Sequence, residues 1–316
     1  PLLELTDVNL EEAFPLLLQA RVQDGKKLDV NLDLSAQVRA DLAGKEFGAT
    51  DLELNTTLGG IFAGPVKAAI QGDVQFDQNA DSAEVKLTSL QFANVDASGQ
   101  VKASAVSTAP TFNGNLKTDT FDLKELLKTL GIDSPQTQDS AALTRVQADL
   151  AFSGTPQQIR IAPLQLKLDD STLSGEAAIT DVATQAVRFD LKLDRLDADR
   201  YLPPEAKAAS TAAAGAGPAA TTSSSAGKGD LIPVDALRSL NVKGKFTAGE
   251  VVVKKIPVRD IGLSVRAQNG DVQVNDLAAK LLQGALAGSI GVDVRGTQPK
   301  IATKIDLNNL QLKDLL

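Results

Sequence analysis

Histidine, cysteine, methionine and tryptophan are absent from this chain of 316 residues, and Tyr201 is its one tyrosine. Each absence removes a class of chemistry. Without His and Cys, the usual zinc, copper and non-haem iron sites cannot be assembled, so no metal site is expected. Without Cys there is no thiolate nucleophile, disulfide or iron–sulfur ligation, and neither a Ser–His nor a Cys–His pair can form. Zero Cys suits a reducing and an oxidising compartment alike, so the redox setting stays open. Sugar-stacking platforms need Trp or Tyr, which are missing but for Tyr201.

Long apolar runs are also missing. Ala13 to Leu18 is six residues and contains Pro15, whereas a membrane-spanning helix needs about 20 apolar residues. No leader of signal-peptide type stands at the start. Clustered positive charge is lacking too: no run exceeds a pair such as Lys26-Lys27 or Lys254-Lys255, and the net charge is −8. That balance argues against a nucleic-acid partner and against electrostatic docking on anionic headgroups.

What the chain has is aliphatic residues at period two. From Leu28 to Leu42 every even position is apolar, and the odd positions between are polar or charged. A strand with one face in water gives that pattern, and a helix does not. At about 3.3 Å per residue the run would reach about 50 Å, so a bulge or break is expected within it. The pattern returns at 66–76, 85–87, 101–105, 146–152, 159–168, 187–193, 261–267, 272–274, 286–294 and 301–307. Turn signals lie between: Asp24-Gly25, Gly59-Gly60, Asn113-Gly114, Gly154 to Pro156, and Asn269-Gly270. Such short connections imply antiparallel neighbours. The reading predicts roughly fifteen to eighteen strands.

Helical signals are few. Leu123–Leu130 (LKELLKTL) carries helical spacing and stops at Gly131, Val234–Leu240 follows Pro233, and Glu11–Leu18 is a third candidate. The segment Glu205–Gly229 is Ala, Ser, Thr, Gly and Pro with hardly any charge, and reads as a mobile loop or linker. It separates a repetitive β region, 1–204, from a second run of β repeats, 230–316.

One unit ending recurs at Phe121–Leu127 (FDLKELL), Leu196–Leu202 (LDADRYL) and Leu310–Leu316 (LQLKDLL), with Val8–Phe14 (VNLEEAF) as a fourth. A glycine step precedes three of them. From Gly99 to Phe121, Gly175 to Leu196 and Gly288 to Leu310 the spacing is 22, 21 and 22 residues. Units of this size close no core alone and stack on their neighbours. The expectation is a piece of a longer array.

A sheet of this size has one large apolar face, and the few short helices cannot cover it. Three solutions are open. The sheet can fold on itself as a sandwich or closed barrel. It can face lipid as a membrane barrel, though such barrels carry aromatic girdles that are lacking here. Or it can curl into a gutter that holds an apolar ligand. No catalytic constellation stands out. The 40 carboxylates mostly fall on the polar phase of the strands, and Asp169-Asp170 is the only adjacent pair of interest. No calcium loop or phosphate loop is present. A β-helical lyase or hydrolase would need converging carboxylates in an aromatic cleft, and neither is visible.

Residues 233–251 (PVDALRSLNVKGKFTAGEV), 277–289 (LAAKLLQGALAGS), 121–131 (FDLKELLKTLG) and 166–175 (LKLDDSTLSG) resemble the AsmA family. The likeness covers most of the chain from about residue 110 onward, and the first hundred residues match in style. The resemblance implies a mainly β fold: an elongated, repetitive, mostly antiparallel sheet curled into a groove, with a few short helices. It implies a non-catalytic protein of the Gram-negative periplasm, tied to the inner membrane by an anchor upstream of this chain. The implied role is lipid binding or phospholipid transfer between inner and outer membrane in support of outer-membrane biogenesis. The implied partners are phospholipid acyl chains and outer-membrane assembly components, with no cofactor. A scaffold that assists outer-membrane protein assembly is the alternative. Where the family often has an aromatic before a glycine, Leu282-Gln283 precede Gly284 here. The groove residues implied are Leu28, Val30, Leu32, Leu34 and Val38; Leu164, Leu166 and Leu168; Val187, Phe189, Leu191 and Leu193; and Ile290, Val292, Ile301, Ile305 and Leu307.

Overall fold

The computed structural model describes residues 11–24, 28–204, 234–296 and 298–309. Sixteen strands run in chain order: β1 Phe14–Gln23, β2 Asp29–Asp41, β3 Glu46–Gly59, β4 Val66–Asp77, β5 Ser82–Phe92, β6 Val95–Ser104, β7 Thr111–Thr118 and β8 Val146–Thr155. They continue with β9 Gln158–Leu168, β10 Ser171–Asp181, β11 Ala186–Asp197, β12 Asn241–Val253, β13 Ile256–Gln268, β14 Asp271–Leu281, β15 Gly284–Asp293 and β16 Lys300–Asn308. All belong to one sheet whose spatial order is the chain order, and β1 does not meet β16. The sheet is therefore open, a curled gutter. At about 4.8 Å between strands it extends about 70 Å across the ladder.

Neighbouring strands are antiparallel with one exception, β11 and β12, which pair in parallel. Antiparallel hairpins bring the chain out alternately at two rims. One carries α1 (Leu123–Leu130), between β7 and β8. The other carries α2 (Val234–Ser239), which leads into β12. A parallel pair requires the chain to return from the α1 rim to the α2 rim, a crossover that hairpins cannot supply. Residues 198–240 make it, starting with a 3₁₀ turn at Ala198–Tyr201. The linker read from composition at 205–229 falls in this crossover and lies outside the described residues, as do Leu310–Leu316 and Val8–Leu10 of the first unit ending.

α1 is fixed by local chemistry. Asp122 caps its start by accepting from the Glu125 amide, and Gly131 ends it with φ 77°. The predicted helix at 11–18 is corrected: Phe14–Gln23 is the edge strand β1, in register with β2 from Phe14 opposite Val38 to Gln23 opposite Asp29. Leu16 and Leu18 share the apolar face of β2, while Leu17 turns outward and is 77% exposed. Three consecutive leucines conceal the alternation that pairing imposes. The predicted turn at Asn113-Gly114 is also corrected. It lies inside β7, with Gly114 opposite Val101 on one side and Phe152 on the other.

Candidate functional site: the apolar face of the sheet

Side chains opposite one another in a ladder share a face, so register alone traces rows across the sheet. One row touches all sixteen strands. It runs Phe14, Val38, Ala49, Val74, Val85, Val101, Gly114, Phe152. It goes on through Ile161, Ala177, Phe189, Gly244, Val265, Val274, Ile290 and Thr303. Thr303, on the last strand, is its only polar member. Nearer the α2 rim a second row runs from β2 to β16. It begins Ala40, Phe47, Phe76, Ala83, Ala103, Phe112, Gly154 and Ile159. Ile179, Val187, Val242, Ala267, Val272, Val292 and Ile301 complete it. No member is polar.

Apart from Gly244 and Ala267, the members of these rows are half-buried or exposed rather than buried. Among the described residues the buried apolar side chains are Ala36, Val66, Ala142, Val146, Ala248, Ala267, Ala279 and Val294, and only Val66 and Val294 are both fully buried and larger than alanine. A sandwich or closed barrel would bury whole rows of Leu, Ile and Phe. Among the described residues no second sheet or layer covers these rows.

The predicted groove residues distribute as follows. Val30, Leu32, Leu34 and Val38 stand on the β2 side of this face, opposite Val22, Ala20, Leu18 and Phe14. Leu28 precedes β2 in the same alternation, its amide bonded to Asp24 Oδ1 at 3.0 Å. Leu164, Leu166 and Leu168 of β9 oppose Gly175, Leu173 and Ser171. Val187, Phe189, Leu191 and Leu193 oppose Ile179, Ala177, Gly175 and Leu173. Ile290, Val292, Ile301, Ile305 and Leu307 stand on β15 and β16. Register thus places the strand residues among them on one face. It adds residues outside the predicted groove set: Phe152 and Val265, which stand in alternating runs, and Phe246 of β12, where Gly244 and Gly249 blur a period of two.

Two devices keep the face continuous. The first is the bulge. β3, β13 and β14 each hold an aspartate at positive φ, Asp51 at 50°, Asp260 at 51° and Asp276 at 53°. At each the apolar phase switches parity, so Ala49 and Leu52 both meet β4 on the groove side. Asp tolerates the left-handed region better than most residues, and a bulge bends and twists its strand. The glycine steps sit beside such shifts. A Cβ on Gly175 would lie 2.0 Å from the Asp190 carbonyl oxygen, and one on Gly288 2.1 Å from that of Lys304. The periodic glycines therefore mark where neighbouring backbones crowd at the bend. The second device pairs glycine with phenylalanine. Phe112 faces Gly154, Phe152 faces Gly114 and Phe189 faces Gly244. A Cβ on Gly244 would meet the Phe189 ring at 2.5 Å. Each ring lies over bare backbone, which levels the face.

The polar cluster lies elsewhere, on the α1 rim. Arg200 bridges Asp139 at 2.7 Å and Asp170 at 2.8 Å, and Arg145 also holds Asp170 at 2.8 Å. Arg145 and then Arg200 keep the Asp170 carboxyl below its ordinary range. The Ala141 amide, then Arg200, does the same to Asp139. Burial and the bond to Asp169 push Tyr201 up to about 12. Each carboxylate here has a basic or hydroxyl partner, and the cluster fastens the start of the crossover to the β9–β10 turn. Among the described residues no group of His, Cys, Asp or Glu is arranged to hold a metal, and no helix is long and apolar enough to cross a membrane.

An open, mostly antiparallel gutter, with an apolar lane that the described residues leave uncovered, is the class of protein this geometry defines. The chain belongs to the AsmA family, whose model matches residues 21–316. Membership associates it with proteins of envelope and outer-membrane biogenesis. No curated protein and no solved structure matches it.

Proposed function

We propose that this chain is a non-catalytic lipid-binding groove of the periplasm, which passes phospholipid between the inner and outer membranes in support of outer-membrane biogenesis. The observation that carries the reading is the pair of apolar rows that cross the sheet and stay half-exposed. Leaving that much aliphatic surface in water is unfavourable by about 25 cal/mol per Å², and exposed apolar patches of this extent mark binding surfaces. A groove without internal stops lets acyl chains lie across successive strands. The polar outer face stays wet, and attachment to the inner membrane would orient the groove.

A photo-crosslinker at successive positions from Leu28 to Leu42, in cells, tests the reading. Even positions should capture phospholipid and odd positions should not. Even-position adducts only to protein would sink it.

One observation favours a second reading, a scaffold for outer-membrane protein assembly. Among the described residues both outer strands of the sheet offer an unpaired edge and carry exposed apolar side chains, Leu17 on β1 and Ile301, 61% exposed, on β16. Such edges accept an added strand. Crosslinks from β1 or β16 to an assembly component, with none to lipid at even positions of β2, would select it.

A further inference from the structure

On the outer face, several cations are matched across strands. Arg160 pairs with Glu176, Arg259 with Glu250, Lys102 with Glu84, Arg21 with Asp29 and Lys280 with Asp260. At one place three cations stand side by side in register. At the parallel join, Arg188 of β11 lies in register with Lys243 of β12, and Lys243 with Arg266 of β13. None of the three has a carboxylate within ion-pairing distance among the described residues. Like charges directly opposite one another destabilise a sheet. This chain has 40 acidic residues against 32 basic ones, so matching the row would be easy. Asp190 stands one outward position further in and faces Lys245.

The row sits two or three residues from the α2 rim. A cleft of about 360 Å³ there is lined by Arg188, Lys243 and Arg266 and also by Val187, Val242 and Ala267. The last three are consecutive members of the second apolar row. The cleft thus wraps the rim, with aliphatic groups on its inner side and cations on its outer side. Asn241 and Gln268, paired with each other at the strand ends, also line it.

We infer that Arg188, Lys243 and Arg266 form an oxyanion site at the rim, which holds the phosphate of a lipid headgroup while the acyl chains lie in the groove. The inference rests on the lipid reading above. Two guanidinium forks and an ammonium spread over about 10 Å suit a tetrahedral phosphate approached from several sides. Continuity with the groove selects a lipid headgroup over a soluble phosphate ester. The net charge of −8 argues against broad docking on an anionic membrane, and a local row does not need it.

The test loads purified chain from phosphatidylcholine vesicles carrying either phosphatidic acid or diacylglycerol with identical acyl chains, and counts retained lipid by mass spectrometry. The unaltered chain should retain phosphatidic acid about tenfold over diacylglycerol. Arg188→Gln, Lys243→Gln and Arg266→Gln combined should equalise the two at the diacylglycerol level. Arg160→Gln, a paired cation off the row, should change nothing. Unchanged thermal unfolding would show that the triple variant is folded. A preference that survives in the triple variant overturns the site and leaves the groove reading standing. Retention of neither lipid by the unaltered chain overturns both. Inorganic phosphate that binds the unaltered chain but not the triple variant, with lipid preference equal in both, would give the row to soluble phosphate esters and overturn the headgroup assignment.

Discussion

The Tyr201 hydroxyl donates to Asp169 Oδ2 at 2.8 Å, joining the start of the crossover to the β9–β10 turn. Burial and this bond favour the protonated phenol, so its pKa is raised to about 12 in the folded chain, against about 10 when unfolded. The stabilisation is therefore complete below pH about 10 and is lost as pH rises through about 12. Because Tyr201 is the only tyrosine, ultraviolet absorbance reports it directly. A midpoint near 12 is expected in the native chain, with Asp169→Asn moving it toward 10. A native midpoint of 10 would show the bond absent in solution.

Leu191 lies on the groove face opposite Gly175 and Phe246. Leu191→Lys places a charge where acyl chains are to lie, and retained lipid should fall at least about tenfold. The fold should persist, since the face is half-exposed already. Lys192→Glu, one residue on and facing outward, should leave lipid retention as it was. Equal retention in both variants would remove the groove from the mechanism.

Gly175 has φ 138°, and a Cβ there would meet the Asp190 carbonyl oxygen at 2.0 Å. Gly175→Ala should cost about 2–4 kcal/mol in denaturant unfolding. Gly262 in β13 meets nothing within 4 Å, so Gly262→Ala should stay within about 1 kcal/mol of the parent. Comparable losses at both positions would mean that the bend does not depend on crowding at Gly175.

The β12–β13 hairpin turns on Lys254 and Lys255, both left-handed at φ 51° and 64°. Asp199 accepts from their amides at 2.6 and 2.7 Å. A two-residue turn of this hand favours Asn-Gly. Lys254→Asn with Lys255→Gly keeps both amides and should raise stability by about 1–2 kcal/mol. Thermal unfolding checks it, and no gain would mean that the lysines carry a compensating contact.

The alternation at 28–42 was legible because β2 has one wet face, and so was α1, whose Asp122 and Gly131 caps are local. The edge strand β1 was not, because Leu16, Leu17 and Leu18 match helical spacing until β2 assigns them alternate faces. Asn113-Gly114 mimicked a hairpin turn. Its glycine answers instead to the Phe152 ring, whose Cζ a Cβ would meet at 2.7 Å. Asp169-Asp170 stood out as a pair, but its partners Arg145, Arg200 and Tyr201 lie far enough away in the chain that only the folded crossover identifies them. The row Arg188, Lys243 and Arg266 was invisible for the same reason: the three stand on separate strands, and only the parallel join aligns them.

That join also bears on how such a chain can change length. β1 to β11 and β12 to β16 each enter at the α2 rim and leave at the α1 rim, since each run holds an odd number of strands. A run of odd count can be duplicated, deleted or inserted at a parallel join without inverting whatever follows it. An even count would enter and leave by the same rim and would turn every later strand end for end. Gene duplication could therefore lengthen or shorten this gutter in whole units while its lining stays on one side.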